Sequence, residues 1–107
     1  MDAFKDMYDV VISRRAEPQE GSYTCYLFEK GLDKILKKCG EECTEMVIAA
    51  KNSDNEELVN EINDLLYHMI VLMAERGVTV GDVEAVMVER SKKIGNLKQF
   101  HVSDHNT

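Results

Sequence analysis

The sequence predicts an all-α protein of four to five helices, built on an antiparallel helix hairpin and completed as a bundle by dimerisation. Three observations carry that expectation. Apolar residues recur at three- and four-residue spacing along most of the chain, with no segment of strand period. Capping and breaker signals divide it at Ala16–Gly21, Asn52–Asn55 and Gly77–Thr79. Leu65, Leu72, Met69, Ile62, Met73, Leu66 and Ile70 spread over roughly 160° of one helix surface, more than a single neighbour covers. A lone monomer would leave much of that arc wet, so a homodimer is expected.

Taken in order, Phe4, Met7, Tyr8, Val11 and Ile12 predict a first helix over residues 3–15. Pro18 and Gly21 break the chain, and Ser22 is placed to cap the next helix. That long second helix is expected to reach Lys51, with Leu27, Phe28, Leu32, Ile35, Leu36, Cys39, Cys43, Met46, Val47 and Ala50 as its apolar set. Gly31 and Gly40 interrupt it at a cost of ~1 kcal/mol each against alanine. They mark a break, a close helix contact or a ligand approach. Ser53-x-x-Glu56 and Asp54-x-x-Glu57 offer two overlapping capping boxes for a third helix, which should stop at Gly77. Thr79-x-x-Asp82 opens a fourth, expected to turn Val80, Val83, Val86, Met87 and Ile94 inward and to end at Gly95. One domain over residues 1–95 and a polar, frayed tail over 96–107 complete the expected organisation.

A 107-residue chain with 44% hydrophobic residues can bury one core. The net charge of −7 argues against binding nucleic acid or an anionic membrane without specific contacts. Cys25, Cys39 and Cys43 are an odd, unpatterned set, expected to be reduced thiols in a cytoplasmic protein. No apolar stretch follows Met1–Asp6 as a signal peptide would require, and none is long enough to span a membrane.

The chemistry-bearing residues lie on the hairpin. Glu42-x-x-Glu45 and Glu61-x-x-Asp64 are placed symmetrically about Ser53, the middle of the turn. In an antiparallel pair this sets Glu42 opposite Asp64 and Glu45 opposite Glu61, roughly 11–16 Å from the turn. At about 100° per residue, Glu42 falls within the stripe headed by Ile35, and Glu61 lies about 40° from Leu65. Glu45 and Asp64 sit at the stripe edges. Two carboxylates ~5 Å apart repel by roughly 3 kcal/mol at an effective dielectric near 20. Ordinary helix-surface charges, with Lys38 and Glu42 as an i, i+4 pair, would avoid apolar stripes and would not face each other in register. A bound divalent cation resolves the conflict, and an all-oxygen donor set points to Mg²⁺ or Mn²⁺. Glu41 faces solvent by the same wheel. Lys34 and Lys38 suit phosphate contacts and equally suit a solvated helix face. His68 reads as a satisfied core-edge histidine or as a site residue.

An oxygen-held metal with open positions can bridge a polyphosphate and activate water. A carboxylate-bridged di-iron bundle would need Glu-x-x-His pairs, which are missing. No phosphate-cradling P-loop is present. The remaining class is a purely structural helical dimer.

Glu20-Gly21-Ser22-Tyr23-Thr24, Lys30-Gly31-Leu32-Asp33-Lys34-Ile35, Lys38-Cys39-Gly40-Glu41-Glu42-x-x-Glu45 and Glu61-Ile62-Asn63-Asp64-Leu65-Leu66-Tyr67-His68 together resemble the phosphoribosyl-ATP pyrophosphatases. Ala74-Glu75-Arg76-Gly77 extends the likeness, which covers roughly residues 5–92. The acid core alone is common to the α-helical, MazG-like nucleotide pyrophosphohydrolases, some of which clear nucleoside triphosphates. The Ser-Tyr-Thr and Lys-Gly-Leu-Asp-Lys-Ile segments point to the histidine-pathway enzyme. The resemblance implies an all-α cytoplasmic dimer cleaving phosphoribosyl-ATP to the AMP form and pyrophosphate with Mg²⁺. It implies metal binding by Glu42, Glu45, Glu61 and Asp64, with Glu41 as an outer ligand or base beside Glu42. It implies substrate contacts by Ser22, Tyr23, Thr24, Lys34 and Lys38. The cyclohydrolase domain to which this activity is sometimes fused is not expected in 107 residues.

Overall fold

The computed structural model describes residues 2–94 and contains five helices: α1 (Ala3–Ala16), α2 (Tyr23–Lys30), α3 (Leu32–Lys51), α4 (Asn55–Arg76) and α5 (Val80–Ser91). Each start has a local cause. Asp2, Ser22, Asp54 and Thr79 each cap the following helix, accepting from the backbone N–H three residues on. Of the two boxes at the hairpin turn, Asp54 is the one that caps. Ser53 instead takes a left-handed conformation at φ 59°, which closes the turn. Thr79 and Asp82 form the full reciprocal box. Helix α4 ends as a Schellman motif, with Gly77 at φ 74°, Gly77 N–H on the Ala74 carbonyl and Val78 N–H on the Met73 carbonyl.

The expected second helix is two. Gly31 at φ 89°, ψ −171° turns the chain between α2 and α3, a conformation open essentially to glycine alone. Gly40 stays helical within α3, and among the described residues nothing beyond its own helix turn lies within 4 Å of where its Cβ would be. A close contact within the subunit is therefore not its role.

Helices α3 and α4 form the central antiparallel hairpin, and α1 and α2 pack across it. Ile35 and Val71, equidistant from Ser53, are both fully buried, as the expected register requires. With Val11, Leu27, Ile70 and Ala74 they make the core, flanked by Phe4, Tyr8, Phe28, Cys39, Tyr67, Leu72 and Met73. The core thus lies at the end of the hairpin away from the turn. Tyr8 ties α1 to the start of the last segment by donating to the Val78 carbonyl at 3.0 Å, and Arg15 donates to the Ala74 carbonyl at the end of α4.

Several expected core positions are bare in the single chain. Helix α5 packs against α1 and buries Val80, but Val86, Met87 and Ile94 are exposed, because its other faces meet no described neighbour. It ends at Ser91; the expected end at Gly95 and the tail over 96–107 lie outside the described residues. On the hairpin, Leu36, Val47, Ile62, Leu66 and Met69 are exposed, Cys43 is an exposed free thiol, and Ala49 rather than Ala50 is buried near the turn. Among the described residues no helix is long and apolar enough to cross a membrane.

Candidate functional site

The hairpin register that buries Ile35 against the core carries Glu42 inward two turns later. Glu42 is 6% exposed and Glu61, on the facing helix, 9%. Glu45 is exposed, yet one of its oxygens, one of Glu42 and one of Glu61 lie within 4.8 Å of each other. The Oε2 atoms of Glu42 and Glu61 are buried without a hydrogen-bond partner. A buried, unpaired carboxylate oxygen costs several kcal/mol, so this cluster demands compensation.

The strain is visible in the acidities. The Glu42 carboxyl is raised by burial, then by a shared proton and repulsion with Glu45, against the opposing pull of Lys38 and His68. Glu61 is pushed up to about 7 by burial, then by its proton sharing and repulsion with Glu45, by Glu57 and by the Asp64 charge. One helix pair therefore holds acids that resist carrying their charges together. A divalent cation answers each of these features: it supplies partners for the orphaned oxygens and removes the repulsion, and carboxylate oxygens are the donors a hard ion takes. Glu42, Glu45 and Glu61 fit that role directly.

The expected quartet is three acids and a neighbour. Asp64 is exposed and stands outside the group of mutually close oxygens, although its charge reaches Glu61. Glu45 and Asp64 both sit at stripe edges, but Glu45 has one more methylene with which to reach back. Glu41 is exposed and pairs with Lys38 at 3.6 Å instead of joining the acids.

Lys38 forms the expected helix pair with Glu42. Its ammonium lies 3.5 Å from Glu42 Oε1, as a helix-surface pair would, but at the rim of the buried cluster. Burial pulls its acidity one way, and Tyr23, Glu42 and Glu41 outweigh it, so the net shift is upward and the amine stays charged. Lys34 lies farther out, 5.9 Å above the Tyr26 ring, with Lys30 at 5.8 Å from the same ring.

The Ser22–Thr24 segment divides by role. Ser22 Oγ caps α2 by accepting from Cys25 N–H at 3.2 Å. The Thr24 hydroxyl bonds the Tyr67 hydroxyl and so faces α4. Tyr23 alone reaches the acid site: its hydroxyl is 3.0 Å from His68 Nε2, and the charges of Lys38 and Glu42 both act on it. His68 is 5% exposed, with Nδ1 2.7 Å from the Asp64 carbonyl. It is a satisfied buried histidine, and through Tyr23 it also borders the site. Its partnership with Tyr23 and the Tyr67–Thr24 contact left no mark in local sequence patterns, whereas the approach of Glu57 to Glu61 follows from their i, i+4 spacing on α4. Beside Tyr23 an open groove of about 540 Å³ runs past Gln19, Ser22, Tyr26 and Glu29; none of the clustered acids lines it.

The sequence model of the phosphoribosyl-ATP pyrophosphohydrolase family matches residues 4–91. A phosphoribosyl-ATP pyrophosphatase of Streptococcus gordonii is 59% identical over 81% of this chain and 84% of its own length. Those of Listeria welshimeri and Streptococcus sanguinis are 54% and 52% identical, over 87% and 92% of the chain and 89% and 95% of their own lengths. The matched span takes in all three clustered acids, Asp64, Lys38 and the Tyr23–His68 pair. The chain belongs to the phosphoribosyl-ATP pyrophosphohydrolase family.

Proposed function

We propose that this chain hydrolyses phosphoribosyl-ATP to phosphoribosyl-AMP and pyrophosphate, the second step of histidine biosynthesis, as a Mg²⁺-dependent cytoplasmic homodimer. The observation that carries the chemistry is the pair of unpartnered buried oxygens on Glu42 and Glu61 beside Glu45. The relatives' names supply the substrate. Glu42, Glu45 and Glu61 would hold the ion, with Asp64 as a fourth acid beside them. An ion held there would neutralise the acids, polarise a phosphate and lower the pKa of a bound water. Glu41, exposed beside Glu42, accepts the proton of the attacking water. Lys38, at 3.5 Å from Glu42, would offer its ammonium to a phosphate. Lys34 extends the positive charge along α3 toward the outer phosphates.

The dimer is supported by apolar residues that the single chain leaves exposed. Val59, Ile62, Leu66 and Met69 line one side of α4, and Leu36 and Val47 one side of α3. Gly40 lies on that α3 stripe with open space above it, which suits a close helix from a second copy. The domain over residues 1–95 is then the catalytic unit, with 96–107 as an appended tail.

The test is purified protein with Mg²⁺, offered phosphoribosyl-ATP and a panel of nucleoside triphosphates in parallel, with pyrophosphate and orthophosphate measured separately. Pyrophosphate release from phosphoribosyl-ATP, at far higher kcat/KM than from dCTP or dUTP, is the expected result. Preference for a triphosphate would move the chain to a nucleotide-clearing role. Orthophosphate as the product would refute cleavage between the α and β phosphates.

A further inference from the structure

Tyr23 and His68 are far apart in sequence, on α2 and α4, yet they are joined at 3.0 Å. Both ends of the imidazole are bonded, and the bonds have a direction. A carbonyl oxygen only accepts, so the contact of Nδ1 with the Asp64 carbonyl at 2.7 Å requires the proton on Nδ1. In the neutral ring Nε2 is then an acceptor, and the Tyr23 hydroxyl donates to it. The ring is closely packed. Tyr67 and Tyr23 pack edge-on against it, with centroids at 5.0 and 5.7 Å, and it is 5% exposed. The far end of the relay is the backbone of Asp64, on the turn of α4 that follows Glu61.

With the ring neutral, Tyr23 has used its only donor on Nε2. Tyr23 is 45% exposed, and its oxygen keeps lone pairs beside His68, within range of the charges of Lys38 and Glu42. An acceptor-only oxygen repels phosphate oxygens and favours an O–H or N–H donor. We propose that His68 is a positioning residue that holds the Tyr23 oxygen as an acceptor for a hydroxyl or amine of the substrate's nucleoside part, not for its phosphates. This rests on the nucleotide hydrolysis proposed above and reassigns Tyr23 within it. The phosphates are left to the ion and to Lys38. The same relay ties the placement of α2 to the helix that carries Glu61 and Asp64.

The experiment compares Tyr23→Phe, His68→Asn and the double variant. Phenylalanine keeps the exposed ring and removes only the oxygen. Asparagine keeps a donor near the Asp64 carbonyl but is too short to reach Tyr23. Each single variant is expected to raise KM for the nucleotide substrate roughly three- to tenfold, the worth of about one hydrogen bond, with kcat within about twofold. The double variant is expected to be no worse than the weaker single, because both cut one relay. Inhibition by inorganic pyrophosphate should be unchanged in Tyr23→Phe. Weakened pyrophosphate inhibition, an unchanged KM, or effects that multiply in the double variant would each overturn the proposal. Should His68→Asn not fold, Tyr23→Phe alone still decides through the KM and pyrophosphate readings. ¹⁵N shifts of the His68 ring give a reading that needs no turnover. A protonated Nδ1 and an acceptor Nε2, the latter shifting in Tyr23→Phe, are expected; a protonated Nε2 refutes the relay. If the wild type releases no pyrophosphate from phosphoribosyl-ATP, the substrate assignment fails, and these shifts still judge the relay.

Discussion

Glu42 on α3 and Glu61 on α4 each bury an Oε2 atom with no hydrogen-bond partner, and Glu45 lies against both. A fold that only needed stability would not keep this arrangement, since apolar residues in the same volume would be better tolerated. The pair stores unfavourable energy in the metal-free protein, and whatever relieves it is what the site binds.

Glu61→Gln removes one of the opposed charges and supplies an amide donor to its neighbours. The metal-free melting temperature is expected to stay level or rise, the reverse of an ordinary core substitution. The Mg²⁺-induced rise in melting temperature should shrink, and turnover should fall by at least the roughly 10–100-fold that losing an outer-shell partner costs. Thermal melts with and without Mg²⁺, alongside the pyrophosphate assay, check both halves. A large loss of metal-free stability with activity retained would make Glu61 a structural partner instead.

The same carboxyl sets a pH dependence. Its acidity moves from an ordinary 4.5 to about 7 in the folded chain, through burial and then Glu45. Between those values the folded state holds more protons than the unfolded state, so stability falls as pH rises. The Glu61 contribution is complete below about 4.5 and is lost as pH climbs through about 7. Metal-free protein should therefore melt higher near pH 5.5 than near pH 8, once other titrating groups are allowed for by comparison with Glu61→Gln. Mg²⁺ must displace that proton, so its stabilising effect should grow across the same interval. A Mg²⁺ shift independent of pH would count against Glu61 as a ligand.

Gly31→Ala tests the break between α2 and α3. No atom would clash with the new methyl group, but φ 89° with ψ −171° is strained for any side chain. A loss of about 1–3 kcal/mol in denaturant unfolding is expected. Because α2 carries Tyr23, KM should rise as well. Gly40→Ala is the control within the subunit. It lies in regular helix with open space, so its effect on a single chain should be a gain of up to ~1 kcal/mol. Any loss of dimer in Gly40→Ala would place a second copy over that face.

Leu66→Glu addresses the exposed stripe on α4. The side chain is 47% exposed in the single chain, so the helical fold should survive the charge. Light scattering is expected to show twice the 12.2 kDa chain mass for the wild type and a single chain mass for the variant. A wild type that is monomeric at micromolar concentration would refute the dimer.

How much was legible beforehand differs from element to element, for a physical reason. Local signals need only neighbours in the chain. Ser22, Asp54 and Thr79 therefore start their helices and Gly77 ends one as the sequence predicted. Helical period and the symmetry about Ser53 were enough to set Glu42 inside a stripe opposite the second acid pair, because two helices joined by a tight turn have only one register. The sequence could mark Gly31 as a weak point; its positive φ became certain only once α2 was packed across the hairpin. What the tertiary structure alone decided is which side chains meet from helices with no fixed register between them. Tyr23 meeting His68, Thr24 meeting Tyr67, and Asp64 standing apart while Glu45 reaches in all depend on the angle of α2 and on side-chain length, neither of which a periodic pattern encodes. The exposure of Val86, Met87 and Leu66 belongs to the same class. An apolar stripe in sequence raises the expectation of a covering surface, but only the packed chain shows which of its positions the described helices leave exposed.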